Sequence, residues 1–306
     1  MGVGTGTDAI ALALMGLGIG EGDEVITSPL SAAYSALAIM MAGARPVFAD
    51  IDAERLTIAP ELVERAITPK TKAILPVHLY GQPADMPALA DIARRRGLIL
   101  IEDCCQAHLA TAAGKPVGTW GAAGAFSFYP TKNLGALGDA GAVITNDAGL
   151  AAKLRRLRNG GQSSRYQHPE FGVNSRLDEM QAAILRARLP RLAGWTAARR
   201  ALAARYRERL TGAPVHVPPE FDAGHVYHLF PIRTPDRDTL QARLRDAGIE
   251  TLIHYPLAIP AQQAMQTVDP APCPVAEQAA SQVLSLPLHP GLTTAEVDAV
   301  ARVITG

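Results

Sequence analysis

The sequence predicts an α/β protein: a mostly parallel central sheet with helices on both faces, followed by a smaller C-terminal α/β domain. Three observations carry that reading. Short apolar runs alternate with helical stretches through the first half of the chain, the pattern of parallel strands joined by crossover helices. One run, Leu98 to His108 (LILIEDCCQAH), passes from four apolar residues straight into Glu102 and Asp103, as a strand buried on both faces and ending in acids would. A third stretch, Gly124 to Asn146 (GAFSFYPTKNLGALGDAGAVITN), reads as a strand over Gly124 to Phe128, a tight loop carrying Lys132, and a second strand over Gly141 to Thr145.

Each element has a local reason. The glycine-rich opening, Gly2 to Asp8, runs into a helical stretch, AIALALMGLG, and Gly20 to Asp23 make a turn. Glu24 to Thr27 reads as a strand, Ser31 to Met41 as a helix stopped at Gly43, and Pro46 to Ala49 as a strand. Pro60 stands at a first helical position for ELVERAI, Ala73 to Val77 is the next strand, and Asp85 caps a helix that ends in Arg94 to Arg96 before Gly97. Leu150 to Arg158 is a short basic helix, followed by a long polar, glycine-rich loop of a length that is uncommon unless the loop is functional or mobile. Leu177 to Leu210 is strongly helical, with breaks expected near Pro190 and Gly194. The remainder supplies a strand over Val226 to Ile232, a helix over Asp238 to Ala247 and a final helix from Thr293, where Glu296 completes a capping box. A chain of 306 residues is large enough for two cores. We place the boundary so that residues 1–194 form the large domain and 195–306 the small one.

Composition excludes several classes of partner. Lys plus Arg and Asp plus Glu both number 29, which gives no reason to expect nucleic acid or an anionic membrane surface. Cys104, Cys105 and Cys273 form neither a disulfide framework nor a metal-ligand spacing, which suits a reducing cytoplasm. Val25 to Ala44 carries no charge and is long enough to cross a bilayer. Pro29 interrupts it, however, and Thr27, Ser28, Ser31 and Ser35 make its first half polar, so it reads as a strand and a buried core helix.

The chemistry rests on Lys132 and Asp103. An amine placed between two hydrophobic strands is costly unless its chemistry is wanted, although most lysines beside a turn are simply solvated. Ligands of open α/β sheets sit outside the carboxyl ends of the strands, which brings Asp103, Gln106 and Lys132 to one crevice. A lysine that forms an imine and a carboxylate that holds a positive ring nitrogen together describe pyridoxal 5'-phosphate chemistry. Gly6, Thr7 and their neighbours, just before a helix, offer backbone N–H groups for its phosphate. Ser127 offers a hydroxyl from the other side.

The motifs GTDA, HLYGQPADM, EDCCQAH, SFYPTKNLGALGD and GVNSRLDEMQAA, in this order through essentially the whole chain, resemble the sugar aminotransferases of the DegT/DnrJ/EryC1/StrS family. The resemblance implies the fold-type-I architecture of pyridoxal-phosphate-dependent transferases. It also implies transfer of an amino group from an amino acid, L-glutamate, to a nucleotide-linked keto-sugar. Carried over by position, Lys132 would hold the cofactor as an imine, Asp103 would pair with the pyridine nitrogen and Gln106 would contact the ring's 3-hydroxyl. Thr7, Ser127 and Asn174 would hold the phosphate, Asn174 reaching in from the second subunit of a homodimer.

Alternatives are a regulatory or catalytically impaired homologue, and a sugar dehydratase, in which histidine would replace Lys132. A nicotinamide fingerprint over Gly2, Gly4 and Gly6 fails because position 7 is threonine and no strand is expected before Gly2. Three positions depart from the family pattern near the ring and the sugar: Ala32, with Tyr34 nearby, where an aromatic residue usually stacks, and Gly160 and Pro260 where histidines are usual. Similar enzymes also carry a few dozen residues before the glycine-rich turn. The expectation is therefore a frayed opening, poor cofactor binding and a truncated or misassigned reading frame.

Overall fold

The computed structural model describes residues 1–268 and 270–306. In chain order the first half contains β1 (Gly2–Val3), α1 (Gly6–Gly16), β2 (Glu24–Thr27), α2 (Tyr34–Met41), β3 (Arg45–Phe48), α3 (Pro60–Ala66), β4 (Thr71–Leu75), α4 (Met86–Arg96) and β5 (Ile99–Asp103). Two short strands, β6 (Thr111–Ala112) and β7 (Lys115–Pro116), precede β8 (Ala123–Ser127), β9 (Gly141–Ile144) and α5 (Ala148–Leu157). The second half contains α6 (Glu179–Arg188), α7 (Leu192–Arg209), β10 (Phe230–Arg233), α8 (Arg237–Asp246), α9 (Pro274–Gln282), β11 (Val283–Leu286) and α10 (Thr294–Thr305).

The central sheet has the order β1-β9-β8-β5-β4-β2-β3. Its members from β8 to β3 pair in parallel, and β9 and β1 close one edge antiparallel. Successive strand residues point to opposite faces, and both faces are apolar here. Val25, Ala73, Leu75 and Ile101 pack with Ile10, Leu12 and Leu14 of α1 and with Leu150 and Leu154 of α5. Ile26, Ile74 and Leu100 pack on the other side with Val63 of α3 and Leu89 and Ile92 of α4. Helices thus cover both faces, as a parallel sheet requires. A second sheet pairs β10 with β11 antiparallel, over a separate cluster that includes Leu202, Tyr206 and Phe230. No helix among the described residues is long and apolar enough to cross a membrane.

Local chemistry explains most element ends. Asp85 accepts from Ala88 N to cap α4, and Gly97 ends it at φ +65°, a left-handed conformation that suits glycine. Thr293 and Glu296 form a capping box on α10. Three expectations need correction. Gly194 does not break its helix: the interruption lies at the 3₁₀ turn Leu189–Arg191, and α7 runs through Gly194. The strand expected over Val226 to Ile232 begins only at Phe230, because Tyr227 adopts φ +46° and the backbone before it bonds elsewhere. The opening is not frayed. Gly2 and Val3 pair with Ala142 and Gly141, Val143 N donates to Met1 O at 2.9 Å, and the Ser175 hydroxyl accepts from Gly4 N at 2.8 Å.

Candidate active site

The carboxyl ends of β5 and β8 and the start of α1 open on a cavity of about 600 Å³. Gly6, Thr7, Asp103, Gln106, Ser127 and Lys132 all line it. Asn174 does not line it. That residue is exposed, in an isolated antiparallel bridge with Asn159 on the long loop before α6.

Lys132 sits in the turn after β8, where its backbone N–H donates to Tyr129 O at 2.8 Å. The side chain is half-buried. Among the described residues no hydrogen bond or ion pair engages its amine. The loop is held tightly: Leu134 and Ala136 pack with Leu185 and Leu192.

β5 ends in two acids that face different ways because strand side chains alternate. Asp103 turns to the cavity, where its Oδ2 accepts from the Ser35 hydroxyl at 2.6 Å and its Oδ1 from Cys105 N at 3.0 Å. Glu102 turns inward, fully buried. It accepts from Gly118 N at 2.7 Å, Trp120 N at 2.7 Å and Gly121 N at 3.1 Å, with His78 Nε2 at 3.2 Å. Burial pushes its carboxyl up, but His78 and these N–H groups outweigh that and hold it below the usual range. Cys104 lies close enough to His78 and Glu102 for the three to form a metal-sized cluster. His78 Nδ1, however, accepts from Ala84 N at 3.1 Å, which puts the ring proton on Nε2 toward Glu102, so the pair serves as a hydrogen-bonded brace.

Gln106 is fixed at both ends. Its Oε1 accepts from Tyr80 N at 2.7 Å, and its Nε2 donates to the Tyr255 hydroxyl at 3.0 Å, leaving one amide N–H uncommitted. Burial raises the Tyr255 phenol to about 12, so it stays protonated.

The residues suit a phosphorylated pyridine aldehyde. The Thr5 hydroxyl caps α1 by accepting from Asp8 N at 3.0 Å, so it does not compete for the N–H groups of Gly6 and Thr7. A Cβ on residue 6 would stand 2.6 Å from Ser127 Cβ and 2.9 Å from Cys105 Sγ. Only glycine lets this helix end approach Ser127 so closely. Asp103 and Lys132, on the same cavity, would supply the two functions that such a ring and aldehyde need.

Sequence reasoning missed part of the wall. Ser31, Ser35, Tyr129, Asp139, His254 and Tyr255 also line the cavity, as do Ala32 and Tyr34. The pair His254–Tyr255 comes from more than a hundred residues beyond Lys132, and no local periodicity links the two. Ser175 was also missed: its hydroxyl donates to Asp8 Oδ2 at 2.8 Å while accepting from Gly4 N, tying the long loop to the glycine turn.

Residues 1–305 match the DegT/DnrJ/EryC1/StrS aminotransferase family. The chain is 50% identical over 277 residues to the "Pleiotropic regulatory protein" of Geobacillus stearothermophilus, covering 89% of this chain and 74% of that protein. It is 49% identical over 278 residues to the dTDP-3-amino-3,4,6-trideoxy-alpha-D-glucose transaminase of Streptomyces venezuelae, covering 89% of this chain and 73% of that protein. The crystal structure of S. venezuelae DesV in complex with a ketimine intermediate superposes with a TM-score of 0.96 at 48% identity, over 100% of this chain and 83% of that one. This chain belongs to the DegT/DnrJ/EryC1/StrS aminotransferase family.

Proposed function

We propose that this protein is a pyridoxal-phosphate-dependent aminotransferase that moves an amino group from an amino acid, L-glutamate, to a nucleotide-linked keto-sugar. One observation carries the reading: Lys132, Asp103, Gln106, Ser127 and the N-terminus of α1 line a single cavity. Pyridoxal phosphate, bound there, supplies the electron sink that lets a carbon beside nitrogen lose a proton.

The protein's own groups do the rest. Gly6, Thr7 and Ser127 hold the phosphate at the positive end of α1. The Asp103 carboxylate, oriented by Ser35 and Cys105 N, holds a proton at the pyridine nitrogen. Keeping that proton through two pKa units takes roughly 3 kcal/mol. One carboxylate about 4 Å away at an effective dielectric near 20 contributes on the order of 4 kcal/mol. The uncommitted N–H of Gln106, which lines the same cavity, would be available to the ring's 3-hydroxyl. Lys132 would hold the cofactor through its amine and, with the donor bound, its Nζ would take the proton from the donor α-carbon and return one to the sugar carbon.

The reading includes a homodimer with shared sites and the division into domains at residue 194. Exposed Leu137, Phe171 and Met180, at 71%, 83% and 72%, support a partner surface, and Asn174 lies off the cavity of its own chain. The separate core of β10 and β11 supports the division. Three free thiols support a cytoplasmic setting.

One observation favours a second reading, a cofactor-binding regulator without turnover: the name of the Geobacillus relative. A panel of nucleotide keto-sugars incubated with glutamate separates the two. Formation of 2-oxoglutarate with an amino-sugar product supports the aminotransferase; cofactor binding with no 2-oxoglutarate from any acceptor supports the regulator.

A further inference from the structure

Asn133 follows Lys132 directly and is buried. Its Nδ2 donates to Val226 O at 3.1 Å, which leaves its Oδ1 facing His228 Nδ1 at 3.0 Å. A carbonyl oxygen only accepts, so the hydrogen-bond network assigns the His228 proton to Nδ1 and the lone pair to Nε2. Burial of His228, and then the Lys132 charge, oppose a second proton, so the ring stays neutral.

His228 is itself braced from several directions. Arg199 of α7, buried, donates from Nη1 to Tyr227 O at 3.1 Å, His228 O at 3.1 Å and Leu288 O at 2.9 Å. Val226 N donates to Gly81 O at 3.1 Å and Leu229 N to Tyr80 O at 3.3 Å. A rigid segment therefore grips the residue next to the reactive lysine. The amine has no side-chain partner among the described residues, so its position is set through its own backbone and that grip.

We infer that His228, acting through Asn133 as the Nδ1–H tautomer, is a positioning residue that fixes where the Lys132 amine sits in the cavity. The inference rests on the aminotransferase reading for its catalytic consequence, but the clamp itself exists without cofactor. Removing the donor leaves Asn133 Oδ1 buried and unpaired, which the loop relieves by moving. An amine misplaced by about 1 Å costs on the order of a hundredfold in rate.

The test uses His228→Leu, His228→Gln and His228→Asn. Asparagine puts an amide N–H where Nδ1 stood, whereas glutamine puts it near the Nε2 position and leaves Asn133 without its donor. The first readout is acylation of Lys132 by acetic anhydride in cofactor-free protein, followed by peptide mass spectrometry, with exposed Lys70 and Lys115 as internal references. The second is kcat and donor KM of the cofactor-loaded enzyme.

His228→Leu and His228→Gln should label several-fold faster at Lys132 with the references unchanged. Their kcat should fall on the order of a hundredfold with donor KM little altered, and His228→Asn should recover most of both. Wild-type labelling of Lys132 in the leucine and glutamine variants would overturn the inference. So would an equal loss in all three variants that tracks thermal stability, the mark of a merely structural residue. Altered labelling, with asparagine rescue, in a protein that transaminates nothing would uphold the clamp and overturn the aminotransferase reading instead. Should the leucine variant not fold, the glutamine and asparagine variants decide.

Discussion

The Ser35 hydroxyl of α2 donates to Oδ2 of Asp103 at 2.6 Å, across 68 positions of sequence and with both residues buried. A carboxylate oxygen that loses such a donor loses its aim as well as a bond. Ser35→Ala should therefore lower stability by about 1–3 kcal/mol, read from urea unfolding, and slow turnover without abolishing it. Unchanged stability and rate would mean that the Cys105 N–H alone orients Asp103.

Asp103→Asn keeps the shape of the carboxylate and removes its charge. Cofactor binding should persist while kcat falls on the order of a hundredfold, the equivalent of two pKa units at the ring nitrogen. Single-turnover absorbance changes with glutamate check this. Near-normal rates would show that the ring nitrogen is held in another way.

Mixing Lys132→Ala chains with Asn174→Ala chains should restore activity that neither parent shows. One site of each hybrid dimer then receives an intact Lys132 from one subunit and an intact Asn174 from the other. Native mass spectrometry verifies exchange. No recovery after verified exchange, with a marked defect in each parent, would count against shared sites.

Stability should fall with acidity through buried histidines. His108 lies between Phe126 and Phe128, its ring centroid 5.5 Å from each, and both its nitrogens are buried without a hydrogen-bond partner among the described residues. Burial, then the Lys132 charge, depress it to about 3; burial, then Arg207, depress His225 to about 3. These folded-state values lie below the unfolded value, so the unfolded chain takes up protons first as pH falls. The stability is full above about pH 6.5 and is lost below it, at up to about 1.4 kcal/mol per pH unit for each histidine. His108→Leu should flatten that slope and be relatively more stable at about pH 5. Urea midpoints at several pH values measure both effects, and an unchanged slope would contradict the assignment.

Much of this was legible because local pattern and tertiary role coincide. The run into Glu102 and Asp103 marks a buried strand and its functional end, and Asp85, Pro60 and Thr293 mark helix starts by cap chemistry alone. Which of the two acids faces the cavity was also readable, but that Glu102 braces residues 118–121 was not, since those N–H groups carry no side-chain signal. The stretch from Val226 to Leu229 reads as a strand by composition. It bends because Tyr80, Gly81 and Arg199 offer its backbone better partners than a sheet does. The Asn133–His228 contact spans 95 positions, and neither residue is unusual in its own neighbourhood.

The central claim is that Lys132 is the residue that bonds to the cofactor's aldehyde. Incubation with pyridoxal phosphate, reduction with borohydride and peptide mass spectrometry test it most directly, because reduction fixes the carbon–nitrogen bond in place. We predict a stoichiometric pyridoxyl adduct on the Lys132 peptide, none on Lys70, Lys72, Lys115 or Lys153, and loss of the adduct in Lys132→Ala. A stoichiometric adduct on another lysine, or no adduct in protein that transaminates, would contradict the account.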